Sequence, residues 1–249
     1  MLVIPANASY DWDNSINIEM DSMTWGYTEK YSGDRSVFIK KYIDMEIGNN
    51  DSFVSAWELL KADVEMSRSF RKSIENNMDV MIDNSSRNVI LLEIESDLSS
   101  ELIGVTDEQS SILNKYEVSY DFKIPLDESG SLIWFQGEPG TDVVIDLPAG
   151  MEMIYMNGID NVSFSESPEG TVISGKFGFS GEVFIEYSIE EEEPVPVGES
   201  TEGNETTNVT KESSSPAKNT RIGDFLDRLF SGDTDDLLKK LKSGDSELL

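Results

Sequence analysis

The sequence predicts an α+β protein: a mainly antiparallel, β-sandwich-like domain with one long amphipathic helix packed on it, then a disordered linker and short C-terminal helices. One helical stripe of apolar residues runs from 53 to 78, many short alternating segments follow it, and the composition changes abruptly at Glu190. The predicted regions are residues 1–8 as a signal-peptide remnant, 9–189 as the β-rich globular domain, 190–220 as the acidic Ser/Thr linker and 221–249 as an amphipathic tail.

The first element is predicted between Ser15 and Tyr31. Ile16, Ile18 and Met20 alternate with polar neighbours, and aromatic residues continue the period of two, which indicates a strand or a hairpin. The next segment, residues 36–47, fits neither the helical nor the strand period.

The long helix is predicted to begin after Asp51, which is a suitable N-cap. Its apolar stripe consists of Phe53, Trp57, Leu60, Val64, Phe70, Ile74 and Met78. An aromatic stripe of this kind is typical of a core face rather than of a ligand platform. We therefore expect the whole stripe to pack on a sheet.

From residue 89 onward the pattern is that of strands. The predicted segments are 89–94, 116–124, 131–135, 143–147, 151–156, 162–164, 172–179 and 183–189, most of them separated by turn signals such as Asn157-Gly158. Many short strands of even spacing indicate a sandwich or a barrel. The preceding helix would cover one sheet face.

The composition excludes several classes of function. The chain has 249 residues with 49 acidic against 19 basic side chains, a formal charge of −30, and such a surface repels nucleic acid and anionic lipid. It contains no His and no Cys, which excludes zinc sites of the Cys/His type, Ser-His-Asp triads, Cys-His dyads and haem ligation by His. Carboxylate chemistry, Lys or Tyr acid–base chemistry and oxygen sites for Ca²⁺ or Mg²⁺ remain.

Two features favour export to the cell surface or envelope. A short apolar run leads into Ala6-Asn7-Ala8, which is similar to the end of a signal peptide, although a chance Ala-x-Ala gives the same pattern. Candidate acceptor triplets for N-glycosylation begin at Asn50, Asn84, Asn161, Asn204 and Asn208, at predicted turns or in the linker. No run of about 18 apolar residues predicts a membrane-spanning helix.

The two ends of the region after residue 189 differ in pattern. Residues 190–220 contain almost no apolar side chains, so burial cannot offset the entropy of ordering them, and disorder is predicted. The tail regains a helical stripe, formed by Ile222, Phe225, Leu226, Leu229 and Phe230. This stripe predicts docking onto a protein partner or onto the domain itself in preference to a membrane, because acidic neighbours offset Lys239, Lys240 and Lys242; the alternative is a tail that stays mostly disordered.

Four segments resemble one protein family. They are the first strand with Trp25-Gly-Tyr27, the helix with Phe70-Arg71 and Ile74, the Tyr120-Asp-Phe122 strand, and the segment from Val143 to Gly150. Together they resemble the extracytoplasmic domain of uncharacterised archaeal surface and membrane-anchored proteins, a domain of unknown function; some members carry a winged helix-turn-helix after a transmembrane helix. The resemblance covers residues 15–189 and implies no catalytic residues.

Two short acidic runs have the oxygen spacing of a weak Ca²⁺ site. They are Asp11-Trp-Asp13-Asn14 and Asp233-Thr-Asp235-Asp236, but neither continues into a twelve-residue calcium loop, and solvated acidic turns are the favoured interpretation.

The sequence thus favours a non-catalytic, exported module with a structural or protein-binding role, without a cofactor. The alternative is a carboxylate-based glycan hydrolase, which would need two carboxyl groups and aromatic platforms in one cleft. Trp134-Phe135 is the aromatic pair on a predicted strand, and core packing explains it more simply.

Overall fold

Thirteen strands and two α-helices form the described part of the chain, which comprises residues 10–128 and 130–189 of the computed structural model. The strands are β1 (Tyr10–Ile18), β2 (Ser22–Tyr31), β3 (Phe53–Val54), β4 (Val80–Ile82), β5 (Val89–Asp97), β6 (Gly104–Val105), β7 (Ile112–Phe122), β8 (Leu132–Gln136), β9 (Asp142–Pro148), β10 (Met151–Asn157), β11 (Ile159–Ser167), β12 (Gly170–Phe177) and β13 (Glu182–Ile189). The helices are α1 (Asp34–Tyr42), which passes into a π-helical segment (Ile43–Ile47), and α2 (Ala56–Asn76).

The strands form two sheets and a short ribbon. The large sheet has seven strands in the order β11-β12-β9-β1-β2-β7-β5, and the small sheet has four in the order β10-β13-β8-β4. Strands β3 and β6 pair separately. Every strand pair that the structure describes is antiparallel except β1 with β9. The prediction of a mainly antiparallel, sandwich-like α+β domain is confirmed at this level.

The inner face of the large sheet is covered in two parts. Along β2 alternate residues are buried, as the two-residue period of a half-buried strand requires. At one end, Trp25 meets Phe135 of the small sheet edge-on, with ring centroids 5.9 Å apart. Further along, Tyr27 of β2 and Tyr116 of β7 meet Phe70 of helix α2 at 5.6 and 6.2 Å. Sheet and helix thus share one continuous hydrophobic core.

The turn predicted at Asn157-Gly158 separates two strands that do not pair with each other. Strand β10 lies in the small sheet and β11 in the large one, so the chain crosses between layers here. Gly158 has a φ of 98°, and a Cβ at this position would lie 1.8 Å from the carbonyl oxygen of Glu182. Only glycine fits this crossing, because the backbone conformation and the space both exclude a side chain.

Helix α2 differs from its prediction in two respects. The N-cap is Ser55, whose Oγ accepts a hydrogen bond from the Glu58 N–H, whereas Asp51 and Phe53 lie before the helix. The predicted stripe is also split: Phe70 and Ile74 are buried, but Trp57 is 64% exposed, so its placement in the core was wrong.

The structure also differs from the sequence prediction in the bounds of other elements. The strand or hairpin predicted over 15–31 is the β1–β2 hairpin, and the ambiguous segment 36–47 is helical. The predicted signal-peptide remnant, linker and C-terminal helices lie outside the described residues.

Candidate functional site

An open, largely apolar groove runs along the outer side of helix α2. It encloses about 600 Å³ between α2 and the end of α1 with its π-helical continuation. Its apolar lining consists of Tyr42, Ile47, Trp57, Leu60, Val64 and Met66. Concave apolar surfaces with a few polar groups are where proteins most often bind other molecules. We call this surface the α2 groove and treat it as the candidate site.

Glu58 ties the two walls of the α2 groove together. Its carboxylate accepts hydrogen bonds from the Ser55 N–H at 2.8 Å and the Ser55 hydroxyl at 3.0 Å, and from the Asn49 N–H at 3.0 Å. These bonds, above all the one from the Ser55 backbone, hold the pKa of Glu58 below its usual range. An ionised carboxylate also suits the positive end of the helix dipole. A Cβ at Gly48 would lie 2.4 Å from this carboxylate, so glycine allows the close approach.

A second buried carboxylate orders the loop between the walls. Asp44, in the π-helical segment, accepts hydrogen bonds from the backbone N–H groups of Asp51 at 3.0 Å and Ser52 at 2.8 Å. Ser52 has a φ of 68°, a conformation that non-glycine residues rarely adopt. The loop that joins the two walls is therefore held by specific hydrogen bonds.

Three large apolar side chains project from α2 into the groove. Trp57, Leu60 and Val64 are 64%, 51% and 47% exposed. The Lys61 ammonium lies 6.0 Å from the centre of the Trp57 ring, at the outer limit of a cation–π contact.

The sequence pattern alone already distinguishes the exposed residues of the predicted stripe from the buried ones, by their positions around the helix. Trp57 and Phe70 are thirteen residues apart and so lie about 140° apart around the helix at 3.6 residues per turn. Phe70 is 3% exposed, on the side that the sheet covers.

The acidic run at the N-terminus of β1 meets a third carboxylate from another strand. Asp11, Asp13 and Asp142 bring one oxygen each within 4.8 Å of one another, because β1 and β9 pair in parallel with Asp13 opposite Asp142. Lys30 forms an ion pair with Asp13, and Lys176 lies 2.8 Å from Asp142. Two lysines thus offset much of the charge, as in a solvated ion-pair network.

Asn14 does not join the acidic cluster as an oxygen ligand. Its buried amide donates hydrogen bonds to Thr141 Oγ1 and to the Asp142 carbonyl oxygen, and its own oxygen accepts from Trp25. The second acidic run, at 233–236, lies outside the described residues.

The aromatic pair Trp134-Phe135 packs in the core. Trp134 is 7% and Phe135 0% exposed, so neither forms a sugar platform.

Three of the candidate glycosylation sites lie on the surface of the described region. Asn50, Asn84 and Asn161 are all exposed and have φ values of 58°, 58° and 54°. Asparagine is one of the few residues that readily adopts this left-handed conformation, so local geometry already explains the residue type. Asn204 and Asn208, like the docking candidates Ile222, Phe225, Leu226, Leu229 and Phe230, lie outside the described residues.

A pronounced electrostatic perturbation lies inside the domain, at Glu29, rather than in the groove. Glu29 of β2 is fully buried, and burial raises its pKa to about 7. The hydrogen bond from the Tyr31 hydroxyl, 3.0 Å away, offsets only part of this effect. Asn114 lies directly opposite Glu29 on β7. Sequence periodicity does not predict this pair. Alternation along a strand indicates which side of the sheet a residue faces, but not which polar residue of the neighbouring strand lies opposite it.

Comparisons with known proteins give the following results. No family model matches the chain, and no curated protein matches it. Among solved structures, the chain is similar to AChBP from Bulinus truncatus, with 9% identity over 76% of this chain and 93% of that chain. The TM-score is 0.17, and a match this weak carries no argument about fold or function. Within the described residues, neither α-helix is long and apolar enough to cross a membrane.

Proposed function

We propose that this chain is a non-catalytic, exported module of an archaeal-type cell surface and that it binds another protein in the α2 groove. The observation that carries the proposal is the exposed stripe of Trp57, Leu60 and Val64, which lies in a concave surface between two helical walls. Tryptophan in a concave apolar patch is a frequent binding hot spot.

The surface around the groove restricts the class of partner. Residues 1–189 carry 34 acidic and 12 basic side chains, so nucleic acid and anionic lipid are repelled. A groove between two helical walls suits an amphipathic helix laid along it, a common mode of peptide recognition. The partner we expect is therefore a protein with an apolar helical face and a neutral or basic rim.

One observation in the same groove supports the alternative function, a glycan hydrolase. Two carboxyl groups, those of Glu46 and Glu65, line the groove together with the aromatic residues Trp57 and Tyr42. Glycan cleavage uses carboxyl groups and aromatic platforms of this kind. Both glutamate side chains are exposed, however, and Glu65 forms an ion pair with Arg68 at 3.0 Å. A glycosidase holds its acid in a site that shields it from water. The non-catalytic function fits this arrangement better.

Capture experiments with the full chain test the proposal. Wild-type protein and the Trp57→Ser variant are presented to cell-envelope proteins, and a partner recovered by the wild type is then titrated against both. Loss of a hot-spot tryptophan should weaken binding by about 2 kcal/mol or more, roughly 30-fold. Phe179→Ser is the matched control, because Phe179 is 101% exposed and does not line the groove.

The outcomes separate the two functions. Equal affinity of the wild type and Trp57→Ser would move the binding surface away from the groove. Turnover of a glycan panel that is abolished by Glu46→Gln or Glu65→Gln would instead favour the hydrolase.

A further inference from the structure

The chain has two apolar stripes at helical spacing that are relevant to the α2 groove. One is the Trp57, Leu60 and Val64 stripe of the α2 groove. The other is the stripe from Ile222 to Phe230, which the sequence places at the helical spacing i, i+3, i+4, i+7 and i+8. An isolated helix of this length is marginal in water and gains most of its stability from burying its apolar face.

We propose that the segment Ile222–Phe230 of this chain docks as a helix in the α2 groove and covers Trp57. Of the two docking surfaces that the tail pattern predicts, a partner or the domain itself, the groove favours the domain. A helix laid between two helical walls makes a three-helix packing, in which the ridges of the added helix enter a groove that already exists.

The dimensions of the two stripes agree. At 1.5 Å per residue, Trp57 to Val64 extends over about 10 Å of α2, and Ile222 to Phe230 over about 12 Å. Among the other exposed apolar side chains in the described residues, Ile90, Ile154 and Phe164 lie on strands, and Ile103, Ile124 and Phe179 lie in connecting segments. A strand face does not offer the two helical walls that enclose the α2 groove.

The connecting segment is long enough to reach any face of the domain. Residues 190–221 are 32 residues, which span up to about 110 Å when extended. A domain of about 180 residues has a radius of gyration of about 16 Å. Tethering keeps the tail near the groove at an effective concentration on the order of 1 mM, so a segment with a Kd of ~0.1 mM would cover it for about nine-tenths of the time.

Charge favours the tail over a second copy of the chain as the occupant. Two domains with 34 acidic and 12 basic side chains each repel one another on approach. Residues 221–230 instead carry two acidic side chains, Asp224 and Asp227, and two basic ones, Arg221 and Arg228. A neutral segment meets no such barrier.

The docked tail would regulate the surface that the proposed function assigns to a partner. A partner would have to displace it, so disrupting the tail stripe should strengthen partner binding by about tenfold, the factor by which nine-tenths occupancy weakens it. Only this consequence rests on the proposed function. The docking itself is measured without any partner, so either idea can fail alone.

The tryptophans of the chain supply the experiment. Of its four tryptophans, Trp12, Trp25 and Trp134 are 4%, 0% and 7% exposed, and Trp57 is the accessible one. Acrylamide quenching of the full chain therefore reports mainly on Trp57. We expect the quenching constant of the Phe225→Ser/Leu229→Ser variant to be at least about twice that of the wild type, because docking shields Trp57 most of the time.

The control variant is Asp224→Ser/Arg228→Ser, which conserves the net charge and changes only the polar face of the same segment. Its quenching constant should equal that of the wild type. Val64→Ser changes the groove instead of the tail and should raise quenching like the tail variant. Equal quenching constants in the wild type and both disrupted variants would overturn the proposal. So would protection of Trp57 that grows with protein concentration, which would identify a second copy as the occupant.

Discussion

The two sides of helix α2 carry apolar side chains of similar size in different surroundings. On the inner side, Phe70 and Ile74 are each 3% exposed, and Phe70 packs edge-on against two tyrosines of the large sheet. On the outer side, Trp57 and Leu60 are more than half exposed. Hydrophobicity therefore does not decide which stripe is buried; the position of the sheet does.

The difference separates stability from recognition within one helix. Burial of the inner stripe stabilises the fold, because its area leaves water in the folded state alone. The outer stripe is buried only in part by folding, and its exposed area is available for a second helix or a partner. Substitutions on the inner side should consequently change the free energy of unfolding, and those on the outer side should change binding.

The largest expected effect is that of Phe70→Ala. Truncation of a buried phenylalanine removes its transfer free energy and leaves a cavity between Tyr27 and Tyr116, so we expect a loss of about 3–5 kcal/mol. Urea denaturation measures it. A loss below about 1 kcal/mol would mean that α2 does not pack on the sheet as described.

The next effect concerns the polar part of the same interior. Glu29 has a pKa of about 7 in the folded protein against 4.5 for the unperturbed group, so the folded state binds the extra proton between these values. Its contribution to stability is complete below about pH 4.5 and is lost as pH rises to 7, a loss of about 3 kcal/mol.

Glu29→Gln isolates this contribution from those of the other carboxyl groups. The variant keeps the shape of the side chain and does not titrate, so its stability relative to the wild type should increase between pH 5 and pH 8. Urea denaturation at several pH values gives the difference. A difference that does not change with pH would show that Glu29 is not buried as a titrating group.

A smaller effect is expected at the start of α2. Ser55 caps the helix through the Glu58 N–H, and Ser55→Ala should cost about 1 kcal/mol because that donor loses its partner. Ser69→Ala is the matched control: Ser69 is exposed inside the same helix, where alanine is at least as favourable. Equal stability of the two variants would contradict the capping assignment.

The sequence predicted the sheet region better than the groove. Alternation of apolar and polar residues reveals which strand residues face inward, and the β1–β2 hairpin, with Ile16 opposite Trp25, follows that rule. The parallel contact between β1 and β9, and therefore the meeting of Asp13 with Asp142, depends on long-range topology that no local period encodes. The same holds for Tyr42, which lies beside Trp57 only because the loop held by Asp44 folds back.

The smallest effect on stability should come from Trp57→Ala, although tryptophan is the largest side chain and the sequence pattern placed it in the core. At 64% exposure, Trp57 gives up little buried area, and surface substitutions away from caps and cores usually change stability by less than about 0.5 kcal/mol. A docked tail adds its own binding free energy to this figure, so the variant should be compared with Phe225→Ser/Leu229→Ser, in which the tail stripe is disrupted. In that background Trp57→Ala should be close to neutral by urea denaturation. A loss of several kcal/mol there would place Trp57 in the core after all and would remove the distinction between the two sides of the helix.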